Sequence, residues 1–178
     1  MKEFSGPALF LDRNDINTDE IIPAKYLTEI TKKALAPYIL EDLKLEGFDP
    51  KSQAMAQAGV IVTRANFGCG SSREHAVWVL EVNNINMVIA EGFARIFRQN
   101  MFNCGMLALE MSGRDIDALF ALGKEVTLFA DINAGRLTVT GRTAEGGTRE
   151  QSFSFELDAF DRDLLLAGGW LEYADKNY

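Results

Sequence analysis

Gly59-Val-Ile-Val-Thr-Arg-Ala-Asn-Phe-Gly-Cys-Gly-Ser-Ser-Arg-Glu-His-Ala-Val-Trp-Val-Leu80 decides how the rest of the chain is read. Val60, Ile61 and Val62 form a short β-branched run, the mark of a buried strand. Gly68 and Gly70 allow positive φ and a close backbone approach to a ligand. Ser71 or Ser72 is then placed to cap the helix that follows, and such a helix start attracts anions. Arg73 adds a planar cation suited to gripping a carboxylate or phosphate with two bonds. A strand, a glycine turn and a helix start follow one another, and open α/β sheets place ligands at that kind of strand end.

Working outward, residues 87–90 and 106–111 read as further strands. Helices over residues 74–83 and 92–103 separate them, so residues 60–111 carry a β-α-β-α-β pattern that calls for a right-handed parallel crossover. A short helix is expected from residue 112 to about 122. Residues 125–130 and 136–140 alternate with a period of two around Asn133-Ala134-Gly135, a hairpin signal. A turn over 144–149, a strand over 151–157 and a terminal helix over 160–166 complete the C-terminal part, with Gly168-Gly169 as the stop. Upstream, residues 8–11 read as a first strand and residues 12–20 as a polar loop rich in turn-forming Asn and Asp. Residues 32–43 have helical propensity and Gly47-Phe48-Asp49-Pro50 stops them. Residues 28–58 as a whole read as a mobile or irregular connection with a short helix inside, the kind of segment that binds ligands. With no repeats, low-complexity tracts or linkers, residues 1–178 are expected to form one mixed α/β domain.

Composition narrows the chemistry. The chain has 178 residues, 47% of them hydrophobic, enough for a full core without disulfides. It shows no apolar leader and no apolar run near the roughly 20 residues that cross a bilayer, and with two cysteines it reads as cytoplasmic. A net charge of −8 argues against nucleic acid and anionic membranes as partners. One histidine and two cysteines cannot ligate a four-cysteine cluster and make a zinc site improbable. The expectation is no metal held by this chain, with any metal ligated by another polypeptide.

Several readings of residues 68–75 compete. A phosphate loop would need a lysine and wider glycine spacing. A hydrolase elbow would need Gly-x-Ser-x-Gly, whereas here the second glycine precedes the serine. His75 stands four residues after Ser71, a spacing compatible with a serine–histidine pair, although its ring would point back along the helix to pack or bond locally. A plain cap with Arg73 as a surface charge competes with a capped helix start that binds a carboxylate beside a serine hydroxyl.

Asn66-Phe67-Gly68-Cys69-Gly70-Ser71-Ser72-Arg73-Glu74-His75-Ala76 resembles the signature of the aconitase swivel-domain family, and within it the free-standing small subunits of the isopropylmalate dehydratase type. The resemblance extends to Asp15-Ile16-Asn17-Thr18-Asp19-Glu20-Ile21-Ile22-Pro23-Ala24-Lys25-Tyr26-Leu27, to Phe93-Ala94-Arg95-Ile96-Phe97-Arg98-Gln99-Asn100 with Phe102-Asn103-Cys104-Gly105, and to Leu166-Ala167-Gly168-Gly169. It implies an α/β fold of the swivelling β/β/α type, a mixed sheet with flanking helices. It also implies an iron–sulfur large subunit carrying a 4Fe–4S cluster, as heterodimer or heterotetramer. The implied reaction is a dehydration and rehydration that moves a hydroxyl between adjacent carbons of a small hydroxy-dicarboxylate, in leucine biosynthesis. Residue by residue, Ser71 corresponds to the base that removes and returns the Cα proton, Ser72 and Arg73 to groups that hold a substrate carboxylate, and Asp19 to an acidic residue near the site. A recognition loop of about residues 26–58 would bring Tyr26, Leu27 and Thr28 to the variable part of the substrate. The absence of arginine in Thr28-Glu29-Ile30 disfavours a third carboxylate. Alternatives are a homoaconitate or dimethylmalate enzyme of the same fold and, from another class, a non-catalytic carboxylate-binding module.

Overall fold

A computed structural model describes residues 1–178, the side chain of Lys124 excepted. The described residues form a mixed sheet of seven strands: β1 (Ser5–Leu11), β2 (Val60–Thr63), β3 (Met87–Ala90), β4 (Leu107–Glu110), β5 (Lys124–Asp131), β6 (Arg136–Arg142) and β7 (Thr148–Ser154). Their spatial order is β4-β3-β2-β1-β5-β6-β7. The first four run parallel and the last three antiparallel. β1 is the joint. Ala8, Leu9, Phe10 and Leu11 pair in parallel with β2, while Ser5, Gly6 and Pro7 pair antiparallel with β5.

The helices are α1 (Thr18–Ile21), α2 (Lys32–Leu35), α3 (Gln53–Gln57), α4 (Glu74–Val82), α5 (Arg95–Asn103), α6 (Gly113–Phe120), α7 (Ala159–Ala167) and α8 (Trp170–Asn177), with 3₁₀ turns at Ala24–Tyr26 and Ala36–Tyr38. Every residue of β2 and β3 is buried, as expected of parallel strands covered on both faces. Ala76, Val77, Val79 and Leu80 of α4 and Phe97, Met101 and Phe102 of α5 are buried in the same core. The mixed sheet with flanking helices is the expected fold class. Among the described residues no helix is long and apolar enough to cross a membrane.

Several local expectations need correction. The helix expected over 32–43 ends at Leu35, because Pro37 has no N–H to donate and a 3₁₀ turn takes over. The polar stretch after Pro50 contains α3, capped by Ser52 onto the Met55 amide at 3.2 Å. The loop over 12–20 closes into α1 through a capping box: Asn17 Oδ1 accepts from the Glu20 amide at 2.9 Å and Glu20 Oε1 from the Asn17 amide at 3.2 Å. β7 lies three residues earlier than expected, because its hairpin register sets Arg142 opposite Thr148. After Gly168 ends α7 in the left-handed region, Gly169 starts α8, a helix the double glycine had hidden. Its Trp170 and Tyr173 pack edge-on against Phe160 of α7.

Candidate functional site

Three loops meet at the carboxyl ends of the parallel strands. They follow β1, β2 and β3, and backbone bonds lace them together. The Gly68 amide donates to the Ile16 carbonyl at 2.8 Å and the Thr18 amide to the Cys69 carbonyl at 2.8 Å. On the other side Phe67 N–H donates to Gly92 and Ala94 N–H to Phe67, both at 3.0 Å. The glycine turn is thus held between the first and third loops. Gly68 has φ +81°, and a Cβ there would lie 2.2 Å from the Phe97 ring. Only glycine lets the turn sit this close to α5.

The lacing leaves a cavity of ≈ 230 Å³ lined by Thr18, Ser71, Ser72, Arg73, Arg95 and Phe97 among others. Neither Ser71 nor Ser72 caps α4, contrary to expectation. Arg73, in extended backbone geometry (φ −126°, ψ 120°), is the N-cap, and no side chain caps the first turn. The extended Arg73 shifts the helix start downstream and leaves both serines in the turn, exposed. α5 also starts without a side-chain cap, on Ala94. Two helix starts with free amides therefore border one cavity, and each favours an anion.

Arg73 connects the expected site residues. Its Nη2 donates to Ser71 Oγ at 3.3 Å, and its Nη1 pairs with the Asp19 carboxylate. The Arg73 side chain is 17% exposed against 58% for Asp19, so the arginine is the packed partner and the aspartate the outer one. Asp19 sits on α1, which the capping box holds in place. Burial pushes the Glu20 carboxyl of that box up, but bonds from Arg13 and from the Asn17 amide outweigh it and hold it below the ordinary carboxylate range. A guanidinium donating to a serine hydroxyl, between two helix starts, stabilises negative charge on that oxygen. The arrangement can lower the cost of a serine alkoxide while the remaining donors hold a carboxylate.

Ser71, Ser72, Arg73 and Asp19 come together; Tyr26, Leu27 and Thr28 do not line the cavity. Tyr26 stacks on Tyr38 with ring centroids 3.9 Å apart, and Glu41 beside it, together with burial, pushes its phenol up to about 12. Thr28 is exposed. His75 does not pair with Ser71: its Nε2 lies 3.3 Å from the Glu29 carbonyl oxygen and its ring 4.7 Å from Trp78. Arg95 and Thr18, neither of them an expected site residue, also line the cavity. A helix assumed to begin at Gly92 buries Arg95 in its interior, whereas α5 begins at Arg95 and presents it at the cavity. Arg95 is exposed. Thr18 is 1% exposed, and its Oγ1 has no hydrogen-bond partner among the described residues.

Cys69 serves the turn through its carbonyl, and burial, the largest influence, raises its thiol. Burial lifts the Cys104 thiol to about 11. Among the described residues no group of three or more His, Cys, Asp or Glu side chains is arranged to hold a metal.

Residues 3–114 match the model of the aconitase C-terminal domain. The chain is 45% identical over 162 residues to 3-isopropylmalate dehydratase small subunit 2 of Deinococcus radiodurans, covering 90% of this chain and 71% of that protein. It is 42% identical over 163 residues to the 3-isopropylmalate dehydratase small subunit of Deinococcus deserti, covering 90% and 81%. Among solved structures, 3-isopropylmalate dehydratase from Methanocaldococcus jannaschii superposes with a TM-score of 0.74 at 27% identity, covering 98% of this chain and 94% of that one.

Proposed function

We propose the activity from one premise: this chain belongs to the aconitase C-terminal domain family. It is the small subunit of a hydro-lyase that interconverts 2-isopropylmalate and 3-isopropylmalate in leucine biosynthesis; its relatives are named 3-isopropylmalate dehydratase small subunits. The observation that carries the assignment of roles is the fork of Arg73, which joins Ser71 to Asp19 at the rim of the cavity. Ser71 removes the Cα proton and returns it, its alkoxide held by Arg73 and by the helix-start amides. Ser72 and the remaining Arg73 donors take a carboxylate. Asp19 keeps the guanidinium in place.

This chain's own donors do not fit an iron–sulfur cluster: two thiols far apart in sequence and one engaged histidine cannot ligate it. The 4Fe–4S cluster belongs to a large subunit, where its iron supplies a Lewis acid for the leaving hydroxyl. The exposed serines and the open cavity are this chain's half of the active site. Tyr26, Leu27 and Thr28, within the recognition segment of residues 26–58, meet the variable part of the substrate. Ile30 beside them is 92% exposed, an apolar side chain where a third carboxylate would want a cation. Both cysteines are free, in keeping with a reducing compartment, and we assign the cytoplasm.

The test is to co-purify the chain with its large subunit and assay isopropylmalate, dimethylmalate and homoaconitate. Ser71→Ala should lower kcat by about 10²–10⁴-fold and leave the urea midpoint unchanged. Undiminished turnover would remove Ser71 as the base, and preferred use of homoaconitate would overturn the alkyl-substrate reading.

A further inference from the structure

Helix α4 carries a stripe of side chains that the proton transfer does not use. His75, Trp78 and Glu81 stand three residues apart and share one flank of the helix. Each reaches the segment that follows Leu27. His75 Nε2 lies 3.3 Å from the Glu29 carbonyl oxygen. Lys32 Nζ sits 5.6 Å above the Trp78 ring and 2.7 Å from Glu81 Oε1. Past the helix end, Asn83 Nδ2 donates to the Ala36 carbonyl at 3.1 Å.

These contacts are unequally shared. Residues 32–36 are held by several of them, and Tyr26 is held by its stack on Tyr38. Between these anchors, the Leu27 and Glu29 amides bond only to Ala24 and Tyr26, and Thr31 caps α2. Among the described residues, the His75 contact is the one hydrogen bond that ties residues 27–31 to a distant part of the chain. A carbonyl oxygen can only accept, so Nε2 carries the proton in this contact.

We propose that His75 is a positioning residue for substrate selection: it sets where Thr28 and Ile30 stand relative to Arg73. The geometry supports this because Arg73 is the N-cap of the same helix, two residues before His75. The carboxylate grip and the tether of the recognition segment are thus fixed to one rigid element. A substrate held by its carboxylate at Arg73 meets the segment at a distance that α4 sets. The proposal rests on the hydro-lyase reading above.

His75→Phe keeps a ring against Trp78 and removes the donor; His75→Gln restores an amide donor at similar reach. In the complex with the large subunit, His75→Phe should raise KM for isopropylmalate about 3- to 10-fold, the worth of one hydrogen bond, with kcat changed less than about twofold. His75→Gln should recover most of the loss. In the full chain alone, amide exchange at residues 27–31 should quicken by roughly the same factor in His75→Phe, and residues 77–82 should exchange as before. Unchanged exchange at 27–31, or a fall in kcat with KM unmoved, overturns the proposal. If the unaltered complex turns over no alkylmalate, the hydro-lyase reading fails instead, and exchange alone decides the tether.

Discussion

The two halves of the sheet bury their residues differently and do different work. In β2 and β3 every side chain is buried, and each strand delivers its chain into the cavity. In β6 burial alternates, and in β7 every residue but Phe153 is exposed. The parallel half needs helices on both faces, so its strand ends open onto loops and helix starts, where amides and arginines collect. The antiparallel half closes on itself through hairpins, and its strand ends lead into tight turns. The site therefore falls at one end of one half, although a single strand, β1, belongs to both.

The difference can be tested with glycines. Gly68→Ala should destabilise the chain by about 2–5 kcal/mol, combining positive φ with a collision against Phe97. Gly146→Ala, in the β6–β7 turn at φ +83° with nothing within 4 Å, should cost only about 1–2 kcal/mol. Equal urea-unfolding losses would show that packing against α5 adds nothing at Gly68. Next in size, Arg73→Lys should lower kcat/KM of the assembled enzyme about 10- to 100-fold, since one ammonium cannot serve Ser71 and Asp19 as the fork does. A urea midpoint that fell in proportion would make Arg73 structural.

Acid should loosen the α1 end of the site. The folded Glu20 carboxyl titrates below its unfolded value, so its contribution is complete above the unfolded value and is lost as pH falls through the folded one. The urea midpoint should decline below about pH 4.5, and Glu20→Gln should make that decline shallower. The smallest effect belongs to the antiparallel half. Phe129 on β5 is 54% exposed, and Phe129→Ser should change stability by under about 0.5 kcal/mol with turnover intact. Loss of large-subunit binding in that variant would mean that this face is covered in the assembly.

Legibility followed the same division. Val60-Ile61-Val62 and Met87-Val88-Ile89-Ala90 are unbroken apolar runs, and their parallel pairing was readable because nothing but burial on both faces suits them. The hairpin around Asn133-Ala134-Gly135 was readable from turn chemistry. Element starts were not. Ser71 and Ser72 are better caps by residue type than Arg73, and Arg95 looked interior to its helix. The second of two adjacent glycines at residues 168 and 169 concealed α8, because the same dipeptide can end one helix and begin another.

What the chain's residues determined alone is the chemistry available: a serine pair, an arginine, an acidic loop, and too few cysteines for a four-thiolate cluster of its own. Such inventories depend only on which groups exist and how glycines and β-branched residues bias the backbone. Tertiary structure alone decided which groups meet. Asp19 and Arg73 lie 54 positions apart and become partners because β1 and β2 are parallel neighbours. Arg95 joins them because β3 pairs alongside β2 and sends its loop to the same edge. Backbone bonds from the Gly68 amide to the Ile16 carbonyl and from the Thr18 amide to the Cys69 carbonyl then set the distances. Those contacts come from strand register, which local propensity does not encode.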